Sequence, residues 1–573
     1  MEYQICLFIG LAILGLTVLV SILFRKKKHI FYVLFGGVFV ASFFMLLPIA
    51  LDWLKGEKWC AVKAFLNAFH NTLRLFVVEG DYELVFGFTR KLQDPIQTIY
   101  AVFASILIVI APMLTFGFVM IFFKTFFSYV RYLLHFFSET YVFTELNEKT
   151  LMLAKDLKVN MKHRNIVFTG IAKVIEEESE LVEEARRFGA ILFKRGAEYY
   201  NFSFHAQKKK LVFFASAEEA IGLCKKYGER EHTELYVFEK HTSGELILSS
   251  LTPTKMKIRR IHEEQALIQR FLYDEGMTIF DSAVECGAQK YITAMVVGMG
   301  YMGSHLAKTL PWFCQMDGYH FVMHLFSEKV SEIEKFAVEC PELVDEKHNG
   351  NFDAEGEAQY FIQMHEAVEI ESKRFWEDVS KIQDTSFIFV SLGTDERNIQ
   401  TAVALRIYYE KFSKHPYIVT VVKDSDKKEA LVNAKNYSGQ AYDIHMIGDE
   451  QEFYSEKVLL HSDVEEVALG RHLKWGCEEE FWRFEYNYSS SIASAIHRKM
   501  KAYCGIPGVE KKKEERLEEE KWNLRKLEHR RWNAYMRAQG YTWAEKRNNL
   551  AKTHPCLVPF EELSLVDQEK DDD

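Results

Sequence analysis

Three long apolar stretches stand ahead of a much longer polar remainder, and they restrict this chain more than any motif does. Residues 3–24, 30–54 and 96–127 each reach or exceed the ~20 residues needed to cross a ~30 Å hydrocarbon core. The chain therefore reads as a multi-pass integral membrane protein. A secretory leader would carry an apolar region of only about 7–15 residues and a small-residue cleavage site. Here a second apolar stretch follows the first at once.

Short loops rich in Lys and Arg stay on the cytoplasmic side. Arg25, Lys26, Lys27 and Lys28 separate the first two stretches, and Lys124 and Arg131 follow the third. The expected arrangement is an outside N-terminus, a location in the inner (plasma) membrane and a cytoplasmic polar remainder. Cys224, Cys286, Cys314, Cys340, Cys477, Cys504 and Cys556 are scattered without a C-x-x-C pair, so neither a metal site nor a disulfide framework is expected. A formal charge of -10 at pH 7 argues against nucleic acid as a partner, because that needs a basic face. The acidic end at residues 571–573 reads as a solvated tail.

Between the second and third stretches, Val62, Phe65, Leu66, Phe69, Leu73 and Phe76 recur at helical spacing, with Lys63, Asn67, His70, Asn71 and Arg74 on another side. This amphipathic helix either lies flat in the head groups or tips inward as a re-entrant helix. Potassium filters expose rings of backbone carbonyls. The nearest candidate here, Val85-Phe86-Gly87-Phe88, lacks the T-V-G-Y-G pattern. The spans carry almost no ionisable residue apart from Asp52, which disfavours a proton relay or a coupled transporter. A pore would need several copies of this short bundle, gated by apolar or small side chains. Beyond the third span, Val130, Leu133, Leu134, Phe137, Tyr141 and Leu146 either continue a helical rod or belong to an ordinary linker.

After Lys162 short apolar runs alternate with charged helical segments, the pattern of parallel sheets built from βαβ units. In a first unit, strands are expected at residues 165–169, 190–193, 211–215 and 235–238, with a helix at 176–188. Gly170 is the only glycine of its turn, followed by Ile171, Ala172 and Lys173, so this unit reads as a degenerate, ligand-free copy. In a second unit a strand at 294–297 runs into Gly298-Met299-Gly300-Tyr301-Met302-Gly303, and a helix begins at 304–310. In dinucleotide sites the first glycine permits the turn, the second admits the pyrophosphate and the third lets helix and strand pack. A strand at 319–326 ends at Ser327-Glu328, placing an acid where ribose hydroxyls would sit, and further strands follow at 387–392 and 417–422. Candidate cofactor-binding residues are Gly298, Gly300, Gly303, Glu328, Gly393 and Asp395, for NAD(H) or another adenine nucleotide. The same glycines also serve packing alone, and Asp395-Glu396 either caps the following helix or meets the nucleotide edge.

These segments resemble the NAD-binding domains of Trk-type potassium uptake and regulator-of-potassium-conductance proteins over roughly residues 165–453. The likeness is strongest at Gly298, Gly300, Gly303 and the stretch Ser391 to Asn398. It implies paired domains that convert ligand binding into gate motion.

Toward the C-terminus, helical blocks are expected at 488–503, 510–521 and 522–539. His529, Arg530, Arg531, Trp532, Asn533, Tyr535, Met536 and Arg537 interleave cations with rings, and Tyr541 and Trp543 follow Gly540. Rings stack on bases and guanidinium groups grip phosphates. Arg531, Trp532, Asn533, Tyr535, Tyr541 and Trp543 are thus candidate ligand contacts; the alternative is that Trp532, Tyr535 and Met536 fill a small helical core. The run from Leu527 to Arg537, with the later His554 to Leu563, resembles the bacterial ryanodine-receptor (RyR) repeat domain. That resemblance implies a sensor of nucleotide-derived signals, including in anti-phage systems.

The expected fold class is a three-span α-helical transmembrane bundle joined to α/β: two tandem Rossmann-like domains and a small, mainly helical RyR-like domain. The boundaries are 1–128 for the membrane domain, 129–162 for a helical linker, 163–285 for the degenerate copy, 286–480 for the G-x-G-x-x-G copy and 481–573 for the last module. The leading functional expectation is a nucleotide-sensing membrane effector whose cytoplasmic domains gate an oligomeric pore or disrupt the bilayer. Its partners would be a nucleotide-derived signal, the lipid bilayer and further copies of itself. A housekeeping regulator or channel for potassium or other cations is the alternative, and a membrane-anchored NAD-dependent oxidoreductase the second. No G-x-S-x-G, H-E-x-x-H or Walker pattern occurs, and His305, inside the fingerprint helix, is poorly placed for hydride chemistry, so no catalytic residue is assigned.

Overall fold

A computed structural model describes residues 2–23, 30–80, 82–134, 138–171, 179–202, 209–238, 250, 255–352 and 356–571. They fall into two units, Met1–Leu134 and His135–Asp573. The basic residues Arg25 to Lys28 lie outside the described residues, as does most of the turn after Gly170.

The first unit holds α1 (Glu2–Leu23), α2 (Ile30–Trp53), α3 (Cys60–Phe76), α4 (Tyr82–Thr89) and α5 (Ile96–Leu134). Within α1, α2 and α5, Tyr3–Ser21, Val33–Trp53 and Ile96–Gly117 are long and apolar enough to cross a membrane. A lipid-facing backbone must satisfy its own hydrogen bonds, and helices do so.

The segment after α2 does not lie apart from the bundle. Phe65 of α3 packs on Phe43 of α2 at 5.1 Å between ring centroids, Phe69 on Phe39 at 5.7 Å and Phe76 on Phe35 at 4.9 Å. Ala64 and Ala68 join Ala50 and Leu54 in one apolar cluster. The register runs down α3 as it runs up α2, so the two are antiparallel. From Trp53 back to Phe35 is about 27 Å at ~1.5 Å per residue, most of the ~30 Å core. α3 therefore packs along α2 over most of that length, in keeping with the tipped reading rather than the flat one. The reason lies in its faces. Ala64, Ala68 and Thr72 are the buried inner stripe, while Val62, Phe65, Leu66, Phe69 and Leu73 point outward and only Phe76 of the large apolar set is buried. Small residues let helix backbones approach closely, and the larger Val62, Leu66 and Leu73 are left exposed. Asn67, Asn71 and Arg74 stand on this helix beside the candidate spans. Val85 to Phe88 is helical, with the Phe86 and Phe88 carbonyls accepting from the Arg90 and Lys91 amides at 3.2 and 3.0 Å. It is no carbonyl ladder.

The second unit opens earlier than the sequence suggested. Val130, Leu133 and Leu134 do continue α5, and Phe137 lies outside the described residues, but Thr140–Phe143 is a buried strand, β1, followed by α6 (Glu148–Asn160). A short run such as Tyr141-Val142-Phe143 fits a buried strand and a helix face equally well, which is why periodicity misplaced it. The first sheet continues with β2 (Asn165–Phe168), α7 (Ser179–Arg187), β3 (Ile191–Leu192), β4 (Leu211–Ser216), α8 (Ala217–Tyr227), β5 (Thr233–Phe238) and β6 (Lys257–Ile261). Its order is β3-β2-β1-β4-β5-β6, parallel throughout. The domain boundary at 163 therefore moves back to the start of β1.

A crossover helix, α9 (Glu263–Glu275), leads to the second sheet: β7 (Val284–Cys286), β8 (Gln289–Val297), α10 (Tyr301–Phe313), β9 (Tyr319–Phe326), β10 (Tyr360–His365), β11 (Thr385–Val390), α11 (Asp395–Glu410), β12 (Tyr417–Val421) and β13 (Ile444–Ile447). The parallel order β10-β9-β8-β11-β12-β13 repeats that of the first sheet, with β7 added antiparallel to β8. Both are the doubly wound order with a switch point beside the first strand. Edge strands β6, β10 and β13 escaped the sequence reading because Lys257, Arg259, Gln363 and His445 interrupt their apolar runs.

The C-terminal region carries α12 (Glu485–Tyr503) and α13 (Glu518–Ala538). The charged run expected as one helix at 510–521 divides: its first part is irregular and its last residues open α13. Tyr535 packs against Trp312 of α10 at 6.2 Å, and α12 and α13 contribute to the same apolar core as β8 and α10. This region is fused onto the second sheet.

Candidate functional site

The G-x-G-x-x-G turn sits at the carboxyl end of β8, beside β11, where doubly wound sheets bind ligands. Gly298 has φ 98°, and a Cβ there would lie 2.1 Å from the Ser391 carbonyl oxygen; one on Gly303 would lie 1.8 Å from that of Gly298. Both glycines are required by the fold itself. Gly300 differs: a Cβ built on it meets nothing within 4 Å. It is the N-cap of the thirteen-residue α10 and makes no side-chain cap, so its backbone faces open space at a helix terminus that favours anions.

Glu328 stands just past β9. Its carboxylate accepts from Arg397 of α11 at 2.7 Å and from the Ile370 amide at 3.3 Å. The Arg397 hydrogen bond is the main reason its pKa lies below the ordinary carboxylate value, so at neutral pH the acid is anionic and positioned by a cation. Gly393 has φ 95° and open space at its Cβ position. Asp395 accepts from the Lys423 and Asp424 amides, both at 3.1 Å, and so ties the turn after β11 to the turn after β12. The cap of α11 is Thr394, whose hydroxyl accepts from the Arg397 amide. Sequence reasoning missed two partners here: Arg397 as the holder of Glu328, and Asn398, whose side-chain nitrogen donates to the Val421 carbonyl at 2.8 Å. His305 packs edge-on to His262 at 4.9 Å between centroids, and burial depresses its pKa to about 3.

In the first sheet the corresponding turn follows β1, not Gly170. It reads Thr144-Glu145-Leu146-Asn147 and contains no glycine. The Thr144 hydroxyl donates to the Glu219 carboxylate, Leu146 is buried, and Asn147 closes a capping box with Thr150. Side chains fill the place that glycine leaves open around Gly300.

Of the six candidates of the last module, Arg531 lies over the Tyr535 ring at 5.6 Å, while the others make separate contacts. Arg531 is 2% exposed and donates to Glu528 at 2.8 and 3.0 Å, and Lys501 reaches the same carboxylate at 3.1 Å. Asn533 is buried and donates to the Val558 carbonyl at 3.2 Å. Tyr535 is buried against Trp312, whereas Trp532 turns to His554 at 4.9 Å. Tyr541 is buried 6.4 Å from the Tyr486 ring, and half-exposed Trp543 donates its amide to Glu342 at 2.7 Å. Consecutive helical residues point ~100° apart, so Arg531 and Tyr535, four apart, share a face, whereas Trp532 and Asn533 turn to other neighbours. The core alternative describes Tyr535 and Met536, both buried, and Trp532, partly buried against the same core.

No protein-family model and no curated protein matches this chain. Among solved structures it is similar to one described as "GsuK Channel", at 12% identity and a TM-score of 0.34, covering 75% of this chain and 85% of that one. At that level of likeness no family membership follows.

Proposed function

We propose that the chain is a subunit of a nucleotide-regulated membrane effector, in which an adenine nucleotide or dinucleotide bound at the second sheet alters the permeability of an assembly of the membrane units. The observation that carries this reading is the contrast at the fingerprint. Gly298 and Gly303 are filled-in structural glycines, whereas Gly300 leaves room for a pyrophosphate, with Glu328 poised one strand away for ribose hydroxyls. Three membrane-length helices supply the output, and a pore built from so short a bundle would take several copies. A ligand can shift the open population only by binding open and closed states unequally.

In this reading the permeability change serves signal-triggered, anti-phage membrane disruption; steady control of cation flux is the alternative for the same architecture. Titration calorimetry of the purified chain with NAD, NADH, ATP and ADP-ribose tests the sensor, and dye and ion release from liposomes carrying the protein tests the output. Saturable binding that Gly300→Asp abolishes, with ligand-dependent release, supports the proposal. Absence of binding to all four nucleotides defeats it.

A further inference from the structure

We propose that a cavity among α2, α3, α4 and α5 binds the phosphate head group of an anionic lipid, with Arg74 as its counter-charge. The cavity has a volume of about 210 Å³ and two chemically distinct walls. One wall is polar: Asn67, Asn71 and Arg74, a single stripe of α3. The other is hydrocarbon, from Leu46 and Ile49 of α2 to Ile108 of α5. Asn71 donates to Asn67 at 2.8 Å, which sets the two amides side by side. Arg74 pairs with Glu79 at 3.7 Å, and both side chains are largely exposed, so the guanidinium keeps donors free for a second anion.

A guanidinium at span depth is tolerated when it meets an anion or water, and its planar fork matches phosphate oxygens. Arg74 lies in the last turn of α3, and its side chain leans back along the helix toward Asn71 and Asn67 on the same wall. The volume exceeds that of an engineered ~150 Å³ apolar cavity able to hold benzene, yet falls well short of a whole lipid. It suits a head group and its first carbons, with the chains leaving along the apolar wall. A free inorganic anion would satisfy Arg74 alone and leave that wall wet. Hence the lipid is the preferred source of the phosphate.

The test uses the full chain in non-ionic detergent, delipidated and then offered phosphatidylglycerol, phosphatidylcholine or inorganic phosphate. Bound lipid is read by native mass spectrometry and protection by thermal shift. Phosphatidylglycerol should be retained and raise the melting temperature, with phosphatidylcholine and inorganic phosphate giving neither effect. Arg74→Gln should weaken retention by about ten- to hundredfold, the equivalent of one charge-assisted hydrogen bond, and Arg74→Lys should restore part of it. Leu84→Trp, at a half-exposed lining residue, keeps the charge and fills the space, and should also lose the lipid. Equal retention of both lipids, protection by inorganic phosphate alone, or undiminished binding in either Arg74→Gln or Leu84→Trp would overturn the assignment.

Discussion

The guanidinium of Arg164 and the carboxylate of Glu456 meet in a two-pronged ion pair, with both nitrogen–oxygen distances at 2.6 Å. Arg164 adjoins β2 of the first sheet and Glu456 follows β13 of the second, so the pair clasps the two α/β domains. Asn160 adds a third bond to Glu456 at 3.0 Å, and the Glu456 amide donates to Asp156 at 2.7 Å. Both charges are nearly buried. Hydrogen bonding to Arg164 works against burial and leaves the Glu456 pKa below its ordinary value.

Breaking a buried pair from one side leaves an uncompensated charge. Arg164→Ala should therefore cost about 3–5 kcal/mol, while Arg164→Leu with Glu456→Leu should recover much of that loss. Melting curves and limited proteolysis would report it. An Arg164→Ala variant that melts like the parent would mean that the domains are held together elsewhere.

The fingerprint glycines should separate by role. Gly303→Ala forces a Cβ against the Gly298 carbonyl and should destabilise the second sheet by about 1–3 kcal/mol, as overpacking does. Gly300→Ala should leave the melting temperature unchanged, because nothing stands within 4 Å of the added carbon, and should weaken nucleotide binding. If both variants melt alike and bind alike, the open space at Gly300 has no functional meaning.

The fingerprint unit was legible because strand, glycines, helix and terminal acid are consecutive in sequence, and β9 was placed to the residue at Tyr319–Phe326. The first domain was misregistered by one strand, since β1 looks like the tail of a span and β2 alone was followed by a glycine. The partnership of Glu328 with Arg397, 69 residues apart, depends on strand order and leaves no local trace. At α13 the helical turn decides which neighbours meet: Arg531 and Tyr535, four residues apart, are in contact, while Trp532 turns to His554.

Acid should loosen the second unit through His497. Its ring is fully buried, with Nε2 at 2.6 Å from the Gln315 carbonyl, and burial together with Lys501 and Arg531 depresses its pKa to about 3 despite Glu528 nearby. A group whose folded pKa is depressed loses its stabilising contribution as pH falls from the unfolded value toward the folded one. For His497 that window runs from 6.5 down to about 3, at up to about 1.4 kcal/mol per pH unit. Glu465, raised to about 7 by burial, acts with opposite sign between pH 7 and 4.5, so the parent curve mixes the two. The difference between parent and His497→Gln isolates the histidine: denaturant midpoints should converge as pH falls from 6.5 to 4.5. Parallel curves would refute a neutral buried imidazole.

The depth of α3 yields the sharpest structural test. Its inner stripe is small, with Ala68 fully buried against α2, and its large residues such as Leu66 face outward. Ala68→Leu should push the helices apart and cost about 1–3 kcal/mol, although it increases the apolar content of the helix. An interfacial helix would respond in the opposite sense, because its membrane affinity grows with apolar area. Position supplies the second half of the test. With native thiols removed, Leu66→Cys should resist a membrane-impermeant maleimide in proteoliposomes, while Glu57→Cys, ahead of α3, should react. Rapid labelling at both positions would return α3 to the membrane surface. It would also remove Arg74 from the depth at which the proposed lipid phosphate would meet it.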